Sequence, residues 1–272
     1  MPKKRELRSS SILGYIKCGE RYRRAYIEQE RCEPGLTSAR GTAIHKGASH
    51  NFSQKIKSRK DVKAKEIIEV AVEQLHNTVR NEGLYLSPDE KSIGRPILLN
   101  QTEQTVMVLS DLYAHRVAPK YQPLSVEIER KVEIPETDLV LVTHPDLETR
   151  DQKIVDIKSH AKSPKDSEAD ESMQLTFYAM SFEASHGNAA SAIVLEHLVR
   201  TQTMLKAVEQ RTVRDRSDYI AAIQMIRSVG SAIEKEVFPP AYGQAGAWWC
   251  SAKWCPFHSS CKFVPERIRG KV

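Results

Sequence analysis

Leu139-Val-Leu-Val-Thr-His-Pro-Asp146, then Leu147-Glu-Thr-Arg-Asp-Gln-Lys153, then Ile154-Val-Asp-Ile-Lys158 is the stretch on which the reading of this chain turns. Both flanks are rich in β-branched residues, and the polar Arg150-Asp151-Gln152 between them reads as a hairpin loop. With the turn centred near Asp151, Asp146 and Asp156 become cross-strand partners, with Cβ atoms roughly 4.5–5.5 Å apart. Lys158 shares their face because strand side chains alternate with period two. Two carboxylates that close repel each other unless a cation or a proton lies between them. With a lysine beside them they point to a divalent-metal site built for phosphoester chemistry; the alternative is a surface hairpin with scattered charges.

Outward from the hairpin, residues 9–30, 37–56, 62–80 and 101–117 read as helices with apolar stripes. Residues 124–134 alternate as one strand. After the hairpin come a polar loop over 159–170, a helix over 171–186, a second hairpin from 192–199 and 204–208, and a helix over 215–236. The tail from Phe238 is too irregular to fold without a staple. This order predicts an α/β or α+β domain with a mixed sheet flanked by helices, the aspartates and lysine lying on its central strands. We expect one domain over 1–272, made of a helical region (1–120), a catalytic core (121–236) and a cysteine-rich tail (237–272).

The 272 residues are enough to bury a core, and 40% hydrophobic with 28% charged residues is ordinary for a globular protein. No run of about 18 apolar residues predicts a membrane span. The start, Met-Pro-Lys-Lys-Arg-Glu, has no apolar stretch behind it and does not read as a secretion signal, so a cytoplasmic protein is expected. A net charge of +6 favours a polyanionic partner without establishing one. Cys18 and Cys32 lie early and Cys250, Cys255 and Cys261 late. In a cytosolic chain that split argues for metal or cluster ligation over disulfides.

Mg²⁺ and Mn²⁺ prefer hard oxygen ligands. Asp146, Asp156 and the Ile157 main-chain carbonyl can supply three, while Lys158 orients or helps to deprotonate the attacking water. His45, in Gly41-x-x-x-His45 on a predicted helix, is a competent ligand for an Mn²⁺-type ion, though a packed helical histidine is the alternative; Gly41 would let that helix approach the sheet closely. Gln174 and Tyr178 are one helical turn apart and share a face. They either turn toward the metal or divide between solvent and core.

His45, Asp146, Asp156-Ile157-Lys158 and Gln174-x-x-x-Tyr178, in that order, resemble the RecB-like branch of the PD-(D/E)xK nucleases over about residues 9–261. The resemblance implies a restriction-endonuclease-like core and a Mg²⁺- or Mn²⁺-dependent deoxyribonuclease. By the match, His45, Asp146 and Asp156 are metal ligands, Lys158 is the catalytic lysine, and Gln174 and Tyr178 support it. Glu127 or Glu129 would supply an acidic residue on the first strand. Several such nucleases, of the AddB type or the CRISPR-adaptation four-cysteine type, hold a [4Fe–4S] cluster on one early and three late cysteines. Here those are Cys18 and Cys250, Cys255 and Cys261.

Two departures stand out. The first late spacing has four intervening residues where relatives commonly have two, and Gly19 follows the early cysteine where they have proline. Cys32 is a further thiol that could replace Cys18. Zinc is the rival to the cluster, held by four thiolates or by three with His258. Trp248, Trp249, Trp254 and Phe257 are expected to shield the cluster, with stacking on unpaired bases as the alternative. Lys3–Arg8 and Arg21, Arg23 and Arg24 either contact phosphates or form solvated faces.

The implied function is an exonuclease on single-stranded or end-bearing DNA, in repair, recombination or CRISPR adaptation, and of phage or prophage type. The alternative is a non-catalytic DNA-end-binding subunit. No Gly-x4-Gly-Lys-Ser/Thr phosphate loop is present, so unwinding would require a helicase partner.

Overall fold

The computed structural model describes residues 4–269, so Lys3 of the basic stretch lies outside the described residues. The chain opens with β1 (Arg5–Arg8), α1 (Ser9–Lys17), α2 (Gly19–Tyr22) and a π-helical turn (Arg23–Ile27). Next come α3 (Leu36–Ser58), α4 (Ala64–Asn81), the short α5 (Pro88–Ile93) and α6 (Arg95–Arg116). Strands β2 (Pro123–Val126), β3 (Arg130–Glu133), β4 (Leu139–Thr143), β5 (Leu147–Thr149) and β6 (Lys153–His160) follow. The rest is α7 (Glu168–Glu171), α8 (Met173–His186), β7 (Ala192–Arg200), β8 (Leu205–Thr212) and α9 (Arg216–Glu234). Beyond α9, only two 3₁₀ turns, His258–Ser260 and Glu266–Ile268, are regular among the described residues.

The strands form a mixed five-stranded sheet, β2-β5-β6-β7-β8, and a three-stranded sheet, β1-β4-β3. β6 and β7 are parallel, as α8 crosses between them; the other neighbours in the large sheet are antiparallel. Val155 and Ile157 of β6 pack with Ile44, Ala48 and Phe52 of α3 and Leu109 and Tyr113 of α6. Ile154 faces the other way, against Leu175, Tyr178 and Phe182 of α8. With period two, Asp156, Lys158 and His160 share that α8 side. No helix among the described residues is long and apolar enough to cross a membrane.

The structure departs from the sequence expectation at both flanks of the hairpin. The single strand expected over 124–134 is two strands in different sheets, broken where Glu127 takes a positive φ of 47°. Likewise 139–149 divides into β4 and β5, because Pro145 has no N–H to donate to a ladder. The basic start is a strand and not a phosphate arm. Arg5–Arg8 pairs in parallel with β4, Lys4 and Lys131 bind Glu133 and Glu6, and Arg5 reaches Asp138 and Glu234. The N-terminal region is therefore not purely helical. Nor does Gly41 serve close packing: a Cβ there would meet nothing within 4 Å, whereas one at Gly47 would come 2.9 Å from the Ile67 carbonyl of α4.

Candidate active site

The hairpin turn is centred on Asp151. Leu147 faces Val155 and Glu148 faces Ile154, so one further step places Asp146 opposite Asp156. Thr149 accepts the Gln152 amide on its carbonyl and the Lys153 amide on Oγ1, and Gln152 sits at φ 62°. A three-residue loop with its last residue left-handed is a common hairpin closure. The Ile157 amide then donates to Asp146 Oδ2 at 2.9 Å, which pins the first carboxylate across the hairpin.

His45 arrives on α3 with Nδ1 3.1 Å from Asp146 Oδ1. The Asp146 charge raises the imidazole pKa to about 9. Burial works to raise Asp146, but His45, Lys158 and the Ile157 amide hold it below the usual carboxylate value. Asp156 is 1% exposed. Burial, helped by the Asp146 charge, pushes its pKa up against the pull of Lys158. Lys158 Nζ donates to Asp156 Oδ1 at 3.2 Å and lies 2.8 Å from Oδ2. The second approach lacks hydrogen-bond geometry, which leaves the buried Oδ2 without a hydrogen-bond partner. Burial works to lower Lys158, yet Asp156 and Asp146 keep it raised.

On α8, Gln174 Nε2 donates to the Tyr178 hydroxyl at 2.8 Å. The Tyr178 ring is buried, and burial followed by the Asp156 and Asp146 charges drives its hydroxyl well above the usual phenol value. His45, Asp146, Asp156, Lys158 and the Gln174–Tyr178 pair are thus gathered at one place. A mutually repelling carboxylate pair, one member buried and with an oxygen that accepts no hydrogen bond, fits a divalent cation.

Comparison with known families decides what this arrangement is. The model of the PD-(D/E)XK nuclease superfamily matches residues 9–262. The chain belongs to the PD-(D/E)XK nuclease superfamily. A candidate exonuclease from Eubacterium rectale shares the fold at a TM-score of 0.50 and 10% identity, over 89% of this chain and 86% of that one. The protein SSO0001 aligns at a TM-score of 0.37 and 13% identity, over 79% of this chain and 95% of that one. No curated protein matches. Nucleases of this superfamily typically use divalent metals.

Around this nuclease core the other expected residues divide. Ser49, one turn beyond His45, donates to Glu127 at 2.8 Å, and the Glu127 amide bonds the Asp146 carbonyl at 3.2 Å. Glu127 therefore borders the site, while Glu129 is taken by Lys131 and His144. Arg23 is bound to Glu20 and Glu28, and Arg24 to Glu30 and over the Phe257 ring. Two neighbours escaped the sequence reading. Arg40 of α3 donates to the Ser159 carbonyl and hydroxyl, and His160 meets His197 beyond Lys158. Period-two spacing from Lys158 was the available signal for His160.

Cys18, Cys250, Cys255 and Cys261 line one small cavity with Phe257 and the buried His258; Cys32 lies outside it. Cys18 Sγ accepts the Arg21 and Ala241 amides, each at 3.4 Å. Burial and then the three neighbouring thiols raise Cys250 to about 11. No three of these sulfurs come within 4.8 Å of one another. A closed zinc tetrahedron with Zn–S of about 2.3 Å would hold them roughly 3.8 Å apart. They converge without forming a compact site.

Gly19 explains its own presence. Its N–H donates to the Pro239 carbonyl at 2.8 Å, which proline could not do, and a Cβ would come 2.8 Å from the Phe238 carbonyl carbon. The tryptophans do not line this cavity. Trp248 (65% exposed), Trp249 and Trp254 (43%) line an adjoining cleft of about 540 Å³ with Tyr22, Tyr26, Lys17 and Gln174, and Cys18 and Arg21 border both.

Proposed function

We propose that this chain is a divalent-cation-dependent deoxyribonuclease of the RecB-like branch that degrades DNA from single-stranded ends. The observation that carries the reading is the pair of register-opposed carboxylates, the half-buried Asp146 and the buried Asp156, with Lys158 on their face and an Asp156 oxygen that accepts no hydrogen bond. His45, Asp146, Asp156 and the Ile157 carbonyl would hold Mg²⁺ or Mn²⁺. Such a cation polarises the scissile phosphate and lowers the pKa of bound water. The chain's own groups do the rest. Lys158, kept charged by the carboxylates, neutralises charge developing on the phosphorane and orients the attacking water. Gln174 and Tyr178 fix the phosphate beside it.

The cleft at Gln174 supports the substrate. Three tryptophans and the exposed Tyr26 offer stacking faces, and Lys17 and Arg21 offer charge for a phosphate chain. Each base stacked on an aromatic ring contributes about 1–3 kcal/mol without regard to sequence. A duplex would present its bases already stacked. With no phosphate-loop motif in the chain, duplex ends would be opened by a separate helicase. Repair, recombination or CRISPR adaptation would be the setting.

Cys18, Cys250, Cys255 and Cys261 would carry a [4Fe–4S] cluster, which takes one thiolate on each iron and tolerates sulfurs set wider than zinc does. Their shared cavity supports a group held by all four. Its part is structural, tying the tail to α2.

Digestion of end-labelled single- and double-stranded DNA with Mg²⁺, Mn²⁺ or EDTA tests the reading. Wild type should shorten single strands only with metal, and Asp156→Asn and Lys158→Ala should be slower by at least about 10³-fold, the scale of lost transition-state charge stabilisation. Equal cleavage by all three would refute the site. Binding without cleavage in every case would make the chain a DNA-end-binding subunit instead.

A further inference from the structure

We propose that His160, Glu168 and His197 form a second cation site, distinct from the acidic hairpin, that takes a first-row transition dication such as Zn²⁺ or Co²⁺ and not Mg²⁺. This does not depend on what the hairpin site cleaves. His160 ends β6 two residues beyond Lys158, and His197 of β7 is the register partner of Lys158. Glu168 opens α7. One ligand atom from each of the three lies within 4.8 Å of the other two, the one such trio of histidine, cysteine or acidic side chains among the described residues.

The spacings suit an ion. His160 Nε2 is 2.9 Å from His197 Nδ1 and 3.9 Å from a Glu168 carboxylate oxygen. Bonds of about 2.0–2.2 Å in a tetrahedron place ligand atoms roughly 3.3–3.6 Å apart, so small shifts of the same side chains close the site. Two imidazoles and one carboxylate form a borderline-soft set that favours zinc-like ions, whereas Mg²⁺ demands oxygen and retains its waters.

His197 is fully buried, its Nδ1 lies against the His160 imidazole, and the Gln210 side chain stands beside the ring. The segment bearing Glu168 is held in place. Gln210 of β8 donates to the Lys165 carbonyl and accepts the Ala169 amide, and Arg214 donates to the Ala169 carbonyl at 2.7 Å. Outer contacts of this kind keep ligands oriented in metal sites. Glu168 also contributes to the negative field on Lys158.

Co²⁺ titration of the whole protein, followed by visible absorption with Mg²⁺ in large excess, tests the site. We expect one equivalent of Co²⁺ to give weak d–d bands without the intense near-ultraviolet absorption of thiolate ligation. Glu168→Gln and His160→Asn, both partly exposed and so tolerated by the fold, should each weaken binding at least tenfold, and Asp156→Asn should leave it unchanged. The proposal is overturned by the absence of a thiolate-free Co²⁺ signal in wild type. It is equally overturned by unchanged affinity in the first two variants, or by loss of the signal in Asp156→Asn.

Discussion

Asp146 and the Ile157 amide that fixes it are 11 positions apart, closed by a three-residue turn; Cys18 and the Ala241 amide on its sulfur are 223 apart. The first set of groups is assembled by strand register and backbone hydrogen bonds, so its geometry exists before any cation arrives. The second is carried by a tail whose only regular pieces after α9 are two short turns. Closing a long loop costs more entropy than closing a short one, and the tail has little ladder or helix to offset it. On the proposed reading the nuclease site is a rigid feature that a metal would complete. The cysteine cavity is a loose one that a ligand would hold.

The largest expected effect tests that contrast directly. Cys255→Ser should empty the cavity of its ligand and lower the melting temperature by on the order of 10 °C, with a red shift of tryptophan emission. Asp156→Asn should do the opposite to stability, because it removes a carboxylate charge whose burial, with repulsion from Asp146, outweighs the attraction of Lys158, while removing activity. Calorimetry of the two variants side by side decides the matter. If Asp156→Asn melts earlier than wild type and Cys255→Ser does not, the assignment of rigid and loose regions is reversed.

A smaller effect comes from pH. In metal-free protein the Asp146 carboxylate raises His45 from its ordinary 6.5 to about 9. A cationic group stabilised in the folded state contributes fully below its unfolded pKa, and the contribution is lost as pH rises through the folded one. The stabilisation should therefore be complete below pH 6.5 and gone above about 9, and is worth at most about 3 kcal/mol. The difference in melting temperature between wild type and His45→Gln, followed from pH 6 to 10 in EDTA, measures it. A difference independent of pH would show that the pair is not an ion pair. Removing the tail ligand should not alter this difference, since the pair belongs to the rigid region.

Sequence reading reached the site further than it reached the fold. Alternation and turn composition were enough to set Asp146 opposite Asp156, because register in a short hairpin is decided by the turn itself. His45, Gln174 and Tyr178 were reachable through motif spacing alone. Sheet membership was not. Nothing local tells Val126 and Val132 that they lie in different sheets, or that Arg5–Arg8 is a strand, since both depend on which partner edge is vacant. His197 was invisible for the same reason: it meets His160 only through the parallel pairing of β6 with β7.

The two glycines beside functional residues give the smallest effects and the finest test of the contrast. A Cβ at Gly19 would sit 2.7 Å from Pro239 Cδ and 2.8 Å from backbone atoms of Phe238 and Pro239, so the tail must move to admit it. Overpacking of this kind costs about 1–3 kcal/mol, and Gly19→Ala should weaken tail docking while leaving the hairpin untouched. Gly41 lies inside α3 with open space around its Cβ position. Gly41→Ala should therefore raise stability by about 0.5–1 kcal/mol through helix propensity, with unchanged cleavage. Loss of activity in Gly41→Ala would mean that the helix carrying His45 must come closer to the hairpin when DNA binds, and the nuclease site would no longer count as fully formed in the free protein.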